Sequence, residues 1–278
     1  MKIKNKFENG VHVISNNEYH SAEGFSRSQL MDFRKSPKHF WFNQLSGISE
    51  KFEATVDMNI GSAVHTLTLE PQLFDEEFFI TRQQSKPRKG TAPYEKMIEE
   101  SNLRIILTPA EAFLAQTIAR QVNQDENASL LIKDSLIEHS IFFNHRETGI
   151  QCKARPDVWS NKLIMDLKTS KDANPRFFMN ECVTRGYYLQ AGMMHEALAS
   201  IDVKLEQFGF IVVEKTAPFV VAVYPMKQEA LEYGVNLFNK TMSGLARCLE
   251  ANQWPGYQFT EIGLPGYLKF EQEIELEI

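Results

Sequence analysis

Hydrophobic and polar positions alternate in two neighbouring stretches near the middle of the chain. Residues 151–158 (QCKARPDV) and 162–169 (KLIMDLKT) both follow the two-residue side-chain period of a β-strand. Trp159, Ser160 and Asn161 lie between them, so the pattern predicts a β-hairpin. Further strands are predicted at 138–145 (EHSIFFNH) and at 74–82 (FDEEFFITR), and a second hairpin at 206–215 and 218–226.

Helical periodicity and capping residues predict the remaining elements. Ser26 is a candidate N-cap, and Ser36-Pro37 begins a second helix. The run NIGSAVHTLTLEP has helical spacing and ends at Pro71. Later helices are predicted at 108–123, 174–183, 184–200 and 226–252, and the segment QQSKPRKGTAP (83–93) is a predicted loop.

The order of these elements predicts the fold class. Helices, three strands, helices, two strands and a final helix indicate an α/β (α+β) protein with a single mixed central sheet flanked by helices. We find no long linker, and therefore predict one domain over 1–278, with a helical N-terminal part at 20–70 and a core at about 103–225.

Composition excludes several classes of protein. The hydrophobic content of 43% supports a sizeable core, yet no run of about eighteen apolar residues occurs. The first residues lack the apolar region of a signal peptide, so we expect a cytoplasmic protein outside the membrane. Three distant cysteines, Cys152, Cys182 and Cys248, predict reduced thiols. The net charge of −6 argues against a protein that coats nucleic acid.

Charged residues interrupt the first predicted hairpin. Asp166 and Lys168 lie two residues apart and share a face of the strand, whereas Met165 and Leu167 point to the other face. Pairing across the hairpin brings Asp157 close to Asp166, and two carboxylates beside one lysine suit a hard divalent cation. The competing interpretation is a solvated strand face with a weak ion pair. Apolar neighbours favour burial, where charge is costly and normally has a use.

The spacing of these residues resembles a nuclease signature. Pro156-Asp157, eight further residues and Asp166-Leu167-Lys168 match the PD-(D/E)xK pattern, and Thr169-Ser170 extends it to the form of the RecB-like branch. Upstream, GSAVH (61–65) resembles the helix of that branch that carries a metal-binding histidine. Downstream, Tyr187-x-x-Gln190 resembles its Y-x-x-Q helix.

A narrower resemblance spans about Tyr19 to about Trp254. FSRSQLMDFRKSPKHFWF, GSAVHTLTLEP and CKARPD are similar to the nuclease domain of exonuclease VIII (RecE) of phages and prophages. One departure is Met194, four residues after Gln190, where related sequences often have an aromatic residue.

The resemblance implies a restriction-endonuclease-like core and a set of site residues. The implied ligands of one or two Mg²⁺ or Mn²⁺ ions are His65, Asp157, Asp166 and the backbone carbonyl near Leu167; the implied catalytic residues are Asp157, Asp166, Lys168, Gln190 and Tyr187. Without the resemblance, His65 would be interpreted as a core histidine and the Tyr187–Gln190 pair as a packing contact. Glu138 is treated as structural, and His195, Glu196 and Glu181 are given no role.

The implied activity is degradation of linear double-stranded DNA from its 5′ ends, leaving 3′ overhangs for homologous recombination. Expected partners are DNA ends, a single-strand annealing protein and further copies of the chain in a tetrameric ring, with Arg155, Lys171 and Arg176 along its channel. Alternatives are an endonuclease, a Cas4-like nuclease, or a catalytically silent DNA-end-binding protein. Cas4 proteins usually carry four clustered cysteines, and this chain has three that are scattered.

Overall fold

A computed structural model describes residues 6–48 and 54–264. Its helices are α1 (Asn16–Ser21), α2 (Arg27–Lys35), α3 (Pro37–Phe40), α4 (Val56–Leu69), α5 (Phe74–Glu77), α6 (Ala92–Ser101), α7 (Pro109–Gln124), α8 (Glu126–Ile132), α9 (Pro175–Thr184), α10 (Tyr187–Ala199) and α11 (Gln228–Ala251). A π-helical turn, Trp41–Leu45, follows α3, and a 3₁₀ turn, Pro71–Leu73, precedes α5.

The strands form three sheets. They are β1 (Gly10–His12), β2 (Phe78–Ile80), β3 (Ile105–Leu107), β4 (Leu136–Ile137), β5 (Ser140–Asn144), β6 (Gln151–Ala154), β7 (Val158–Ser160), β8 (Leu163–Ser170), β9 (Gln207–Glu214) and β10 (Val221–Pro225). The central sheet has the order β10-β9-β8-β7-β4, and only the β8–β9 pair in it is parallel. Strands β1, β5 and β6 form an antiparallel sheet, and β2 pairs with β3 in parallel. A mixed α/β fold is therefore confirmed, with two small sheets beside the central one.

The central sheet separates two apolar cores because successive side chains alternate between its faces. Ile164 and Phe208 face α10 and α11, whereas Met165, Leu167 and Ile211 face α4 and α7. Helices α9 and α10 connect the parallel strands β8 and β9, which is the crossover that such a pair requires. The described helices include none that is long and apolar enough to cross a membrane.

The helix predictions agree closely with the structure where capping signals are present. Ser26 precedes α2, and Ser36 and Pro37 begin α3. Thr108 and Glu111 form a reciprocal capping box at the start of α7. The predicted hairpin of β9 and β10 is also confirmed. Whether the whole chain is one domain stays a prediction.

Two predicted strands require correction. The first strand of the motif hairpin does not run continuously over 151–158. It is divided into β6 and β7, which belong to different sheets, because Pro156 lies between them and has no N–H to donate to a ladder. The predicted strand at 74–82 begins as the helical turn α5 and becomes extended only at Phe78.

A buried lysine fastens the N-terminal segment to β6. The Nζ atom of Lys153 donates hydrogen bonds to the carbonyl oxygens of Tyr19 (2.7 Å), His20 (3.3 Å) and Ala22 (2.8 Å). The hydroxyl of Tyr19 donates in return to the carbonyl oxygen of Lys153. Lys153 thus stabilises a structural contact, and its charge is not part of an exposed basic cluster.

Candidate active site

The β7–β8 hairpin places two carboxylates together. Val158 pairs with Met165, so the preceding Asp157 and the following Asp166 lie side by side where β7 begins. The backbone N–H of Leu167 donates to Oδ2 of Asp157 over 2.7 Å. In a strand the N–H and C=O of one residue point to the same side, which directs the Leu167 carbonyl toward Asp157 as well. The predicted convergence of the two carboxylates is present in the structure.

Asp166 lies beneath α10 and contacts the lysine of the motif. The Nε2 atom of Gln190 donates to its Oδ1 over 2.5 Å, and the Nζ atom of Lys168 forms a close ion pair with its Oδ2. Nζ of Lys168 also lies 4.8 Å from the ring centroid of Tyr187. These contacts fix both charged groups in a largely buried position.

Helix α4 supplies the histidine. Its Thr55 caps the first turn, and the side of the helix that carries Gly61 approaches β8 so closely that a Cβ at this position would lie 3.2 Å from Oγ1 of Thr169. This packing brings Nε2 of His65 within 2.9 Å of Oδ2 of Asp157. The buried-core interpretation of His65 is therefore wrong, since its imidazole lines the groove described below.

Glu138 completes the cluster, although the sequence led us to treat it as structural. Its Oε1 lies 3.4 Å from Nδ1 of His65, and its Oε2 lies 3.1 Å from Nε of Arg155. Glu138 follows β4 with a positive φ of 54°, in an irregular segment whose periodicity carries no signal. The available signal is an acidic residue at the start of the predicted strand 138–145, which precedes the motif hairpin.

Electrostatics in the cluster follow from burial and from opposing charges. Burial and the neighbouring Asp157 carboxylate raise the pKa of Asp166. Burial alone would lower the pKa of His65, but Asp157 and Glu138 outweigh it and raise that pKa to about 9. Burial raises the pKa of Glu138 to about 8. Burial opposes the charge of Lys168 as well, yet Asp166 and Asp157 raise its pKa. The lysine is consequently held as a cation beside a carboxylate.

The donor set fits a divalent metal ion. One ligand atom from each of His65, Glu138 and Asp157 lies within 4.8 Å of the other two. Oxygen donors with a single imidazole suit Mg²⁺ or Mn²⁺. The Oε1 atom of Gln190 is buried without a hydrogen-bond partner among the described residues, as expected for an atom that faces a bound water or phosphate. His65, Glu138 and Asp157 would hold the ion. Asp166, whose carboxylate contacts Gln190 and Lys168, and the Leu167 carbonyl stay predicted ligands.

The site opens into a groove of about 1030 Å³. Basic residues Arg27, Arg185 and Lys215 line it, together with an acidic group formed by Asp57, Glu70, Glu76 and Glu77. Arg27 donates to the carbonyl oxygen of Arg185 over 3.0 Å and lies over the ring of Tyr187. The groove reaches His65, Glu138 and Lys168 of the site.

Arg155, which is predicted to line a DNA channel, instead contacts other groups within the protein. The side chain of Arg155 is only 9% exposed, and it pairs with Glu138 and donates to the carbonyl oxygen of Ile14. Arg155 therefore orients Glu138 and does not form an exposed channel surface. Lys171 and Arg176 are exposed.

The residues that were given no role divide into two groups. Glu181 adjoins the motif, because its Oε2 accepts a hydrogen bond of 2.6 Å from the hydroxyl of Ser170. His195 and Glu196 contact one another on a part of α10 that does not line the groove. The structure thus brings Glu181 near the end of β8 and leaves the other two outside the site.

Comparison with known proteins identifies the family. The family model DUF3799, described as a PDDEXK-like domain of unknown function, matches residues 26–261. The chain belongs to this family. The expected membership of the PD-(D/E)xK nuclease superfamily is confirmed for this DUF3799 protein, whereas the narrower resemblance to exonuclease VIII stays a prediction.

A solved structure shares the fold of this DUF3799 protein. A crystal structure of a protein from Eubacterium rectale, named “putative exonuclease”, is 13% identical and has a TM-score of 0.62; the match covers 95% of this chain and 100% of that one. At this identity the likeness shows the fold alone. The crystal structure of SSO0001 is also 13% identical, with 78% and 83% of the two chains covered and a TM-score of 0.29, which supports no argument. Comparison with curated proteins finds no match.

Proposed function

We propose that this protein is a metal-dependent exonuclease that degrades linear double-stranded DNA 5′ to 3′ and leaves 3′ overhangs for homologous recombination. The observation that carries the proposal is the meeting of Asp157, Asp166 and Lys168 at one end of a hairpin, with His65 beside them. Membership of a PDDEXK-like family supports the nuclease activity. Direction and recombination rest on the resemblance to exonuclease VIII.

The side chains have distinct roles in phosphodiester hydrolysis. His65, Glu138 and Asp157 would hold a divalent ion, which when bound would supply Lewis-acid polarisation of the phosphate and would lower the pKa of water. Lys168, held as a cation beside Asp166, orients the attacking water and offsets charge that develops on the phosphate. Gln190 fixes Asp166 through its amide N–H and presents its Oε1 atom to the nucleophile or a phosphate oxygen. Tyr187 packs against the lysine and limits its movement.

Digestion of an end-labelled duplex tests the activity and its direction together. Linear DNA labelled at either the 5′ or the 3′ end is incubated with Mg²⁺ beside a covalently closed circle. Early release of mononucleotides from the 5′ label, with the circle intact, is the expected result. Cutting of the circle would identify an endonuclease, and early release of the 3′ label would reverse the direction. No digestion under any metal condition would favour a silent DNA-end-binding protein.

Variants of the two carboxylates test the site assignment. Asp157→Ala and Asp166→Asn remove charge from the metal ligands, so digestion should collapse in both, as it should in EDTA. DNA binding should survive in Asp166→Asn, which a mobility-shift assay measures. Asp202→Asn, at a turn after α10 outside the groove, is a matched control and should retain activity. Undiminished digestion in EDTA or in both carboxylate variants would refute the assignment.

The proposal includes a tetrameric ring of the chain in the cytoplasm of a bacterial host cell. An acidic protein binds DNA weakly through electrostatic attraction. A ring that encircles the duplex would keep the protein on the DNA without high affinity. Lys171 and Arg176 are exposed and could line such a channel. A single-strand annealing protein would bind the 3′ overhang. Light scattering measures the number of chains in the assembly. Digestion in the presence of excess unlabelled trap DNA tests whether the protein stays on one duplex. A monomeric mass and an immediate halt by the trap would exclude the ring.

A further inference from the structure

A fully exposed leucine lies on the wall of the groove that contains the metal-binding residues. Leu103 is 100% exposed, and it lines the same groove as His65 and Lys168. Among the described residues, Met58 is the other large hydrophobic side chain that is exposed in this groove, at 48%. A fully exposed leucine does not contribute the stabilisation that its burial would bring. Within a polar groove, this apolar side chain is not packed against any of the described residues.

The backbone at Leu103 is held in a conformation that leucine rarely adopts. Its φ is +67°, and the preceding Asn102, which caps the C-terminus of α6, has a φ of +49°. A left-handed conformation is unfavourable for a residue with a side chain, because its Cβ lies too close to the following carbonyl oxygen. Such a conformation persists only where the surrounding structure determines it, and it is concentrated at binding sites.

Arg104 provides the contacts that hold this turn. Its guanidinium donates to the carbonyl oxygens of Ser101 (2.9 Å), Asp75 (3.2 Å) and Glu100 (3.3 Å), and it lies 5.3 Å from the ring centroid of Phe79. The turn between α6 and β3 is thus fastened to α5 and β2. As a result, the Leu103 side chain stands in the groove on a rigid support.

We propose that Leu103 packs against the terminal base pair of a DNA duplex and separates its two strands ahead of the metal centre. The inference rests on the proposed nuclease function and names the form of its substrate. The faces of bases are the apolar surface that DNA offers, and leucine is among the side chains that insert between bases. The basic side chains Arg27, Arg185 and Lys215 of the groove suit phosphates, whereas Leu103 suits a base. Separation directs one strand to the carboxylates.

Paired digestions of single-stranded and double-stranded DNA test this role. The variants are Leu103→Asn, because asparagine tolerates a left-handed backbone, and Leu103→Ala. Phe113→Ala is the control, since Phe113 is 70% exposed on α7 and does not line the groove. Because unstacking the terminal base pair is unfavourable without an apolar support, both Leu103 variants should digest blunt duplex at least tenfold more slowly. Digestion of the single strand should change less than twofold, and the control should leave both rates unchanged.

A binding measurement gives a second readout. Duplex with 2-aminopurine at its 5′ end is bound by Asp166→Asn in Ca²⁺, and the fluorescence should rise as the base unstacks. The added Leu103→Ala change should abolish that rise while the mobility shift persists. Unchanged duplex digestion by both Leu103 variants, or equal losses on both substrates, would overturn the strand-separating role while wild-type digestion upholds the nuclease. Failure of the wild type to digest either substrate would overturn both proposals.

Discussion

The side-chain amide of Gln190 donates a hydrogen bond of 2.5 Å to the carboxylate of Asp166, which joins α10 to the strand of the motif. A hydrogen bond to a charged group contributes roughly 1.5–3 kcal/mol, so Gln190→Ala should slow single-turnover cleavage about ten- to a hundredfold. Gln228→Ala, on the exposed start of α11, is the control and should leave the rate unchanged. A Gln190→Ala enzyme with the wild-type rate would show that Asp166 needs no such support.

Lys168 is expected to act on cleavage more than on metal binding. Its cation is fixed by Asp166, and loss of a preorganised donor to the transition state costs on the order of a hundredfold or more. Lys168→Ala should therefore be slow in single-turnover assays while calorimetric titration gives nearly the wild-type affinity for Mn²⁺. Lys162→Ala removes an exposed lysine paired with Glu206 and is the matched control. A normal cleavage rate would place Lys168 outside the chemistry.

Glu138 is predicted to contribute to metal affinity. It lies between His65 and Arg155, so Glu138→Gln should both remove a carboxylate donor and loosen the imidazole. Loss of a group that orients a metal ligand typically costs ten- to a hundredfold in affinity, which titration with Mn²⁺ measures. Glu206→Gln, at an exposed position, controls for the change of charge. Equal Mn²⁺ affinities of Glu138→Gln and Glu206→Gln would show that Glu138 has only a structural role.

The protonation of His65 should be visible in the pH dependence of stability in EDTA. The pKa of His65 is raised from 6.5 to about 9, so its contact with the Asp157 carboxylate stabilises the fold fully below about pH 6.5. This contribution is lost as pH rises through 9. Glu138, whose pKa burial raises to about 8, titrates in an overlapping range, and comparison with His65→Gln isolates the histidine. Thermal unfolding between pH 6 and 10 should show a steeper fall for the wild type; parallel curves would contradict the assignment.

Helices α10 and α11 cross at two glycines, and this contact supports the helix that carries Gln190. A Cβ on Gly192 would lie 2.1 Å from the carbonyl oxygen of Gly234, so Gly192→Ala should force the helices apart and destabilise the protein by about 3 kcal/mol. Gly244→Ala, also in α11, meets only the edge of the Phe33 ring at 3.2 Å and should stay within about 1 kcal/mol of wild type, because alanine favours the helix. Urea denaturation measures both; equal stabilities would contradict the close crossing.

The chain pattern predicted the fold where local chemistry determines structure. Alternation in β8 placed Asp166 and Lys168 on one face, and capping residues marked the start of α7. The pattern failed where contacts between residues distant in sequence determine the structure. Pro156 interrupts a segment that alternates well, and Glu138 joins the site through tertiary packing onto His65. The local periodicity of a sequence carries no information about tertiary contacts between distant residues.

The attachment of the N-terminal segment to Lys153 has a consequence for the timing of folding. The carbonyl groups of Tyr19 and Ala22 bind an amine that is more than 130 residues later in the chain. On the ribosome, residues 6–22 therefore leave the exit tunnel long before their partner is made. Contacts of such long range form late, because loop closure must precede them. A segment that is synthesised long before Lys153 is thus among the last to acquire its native contacts, and assembly of the neighbouring motif completes its docking.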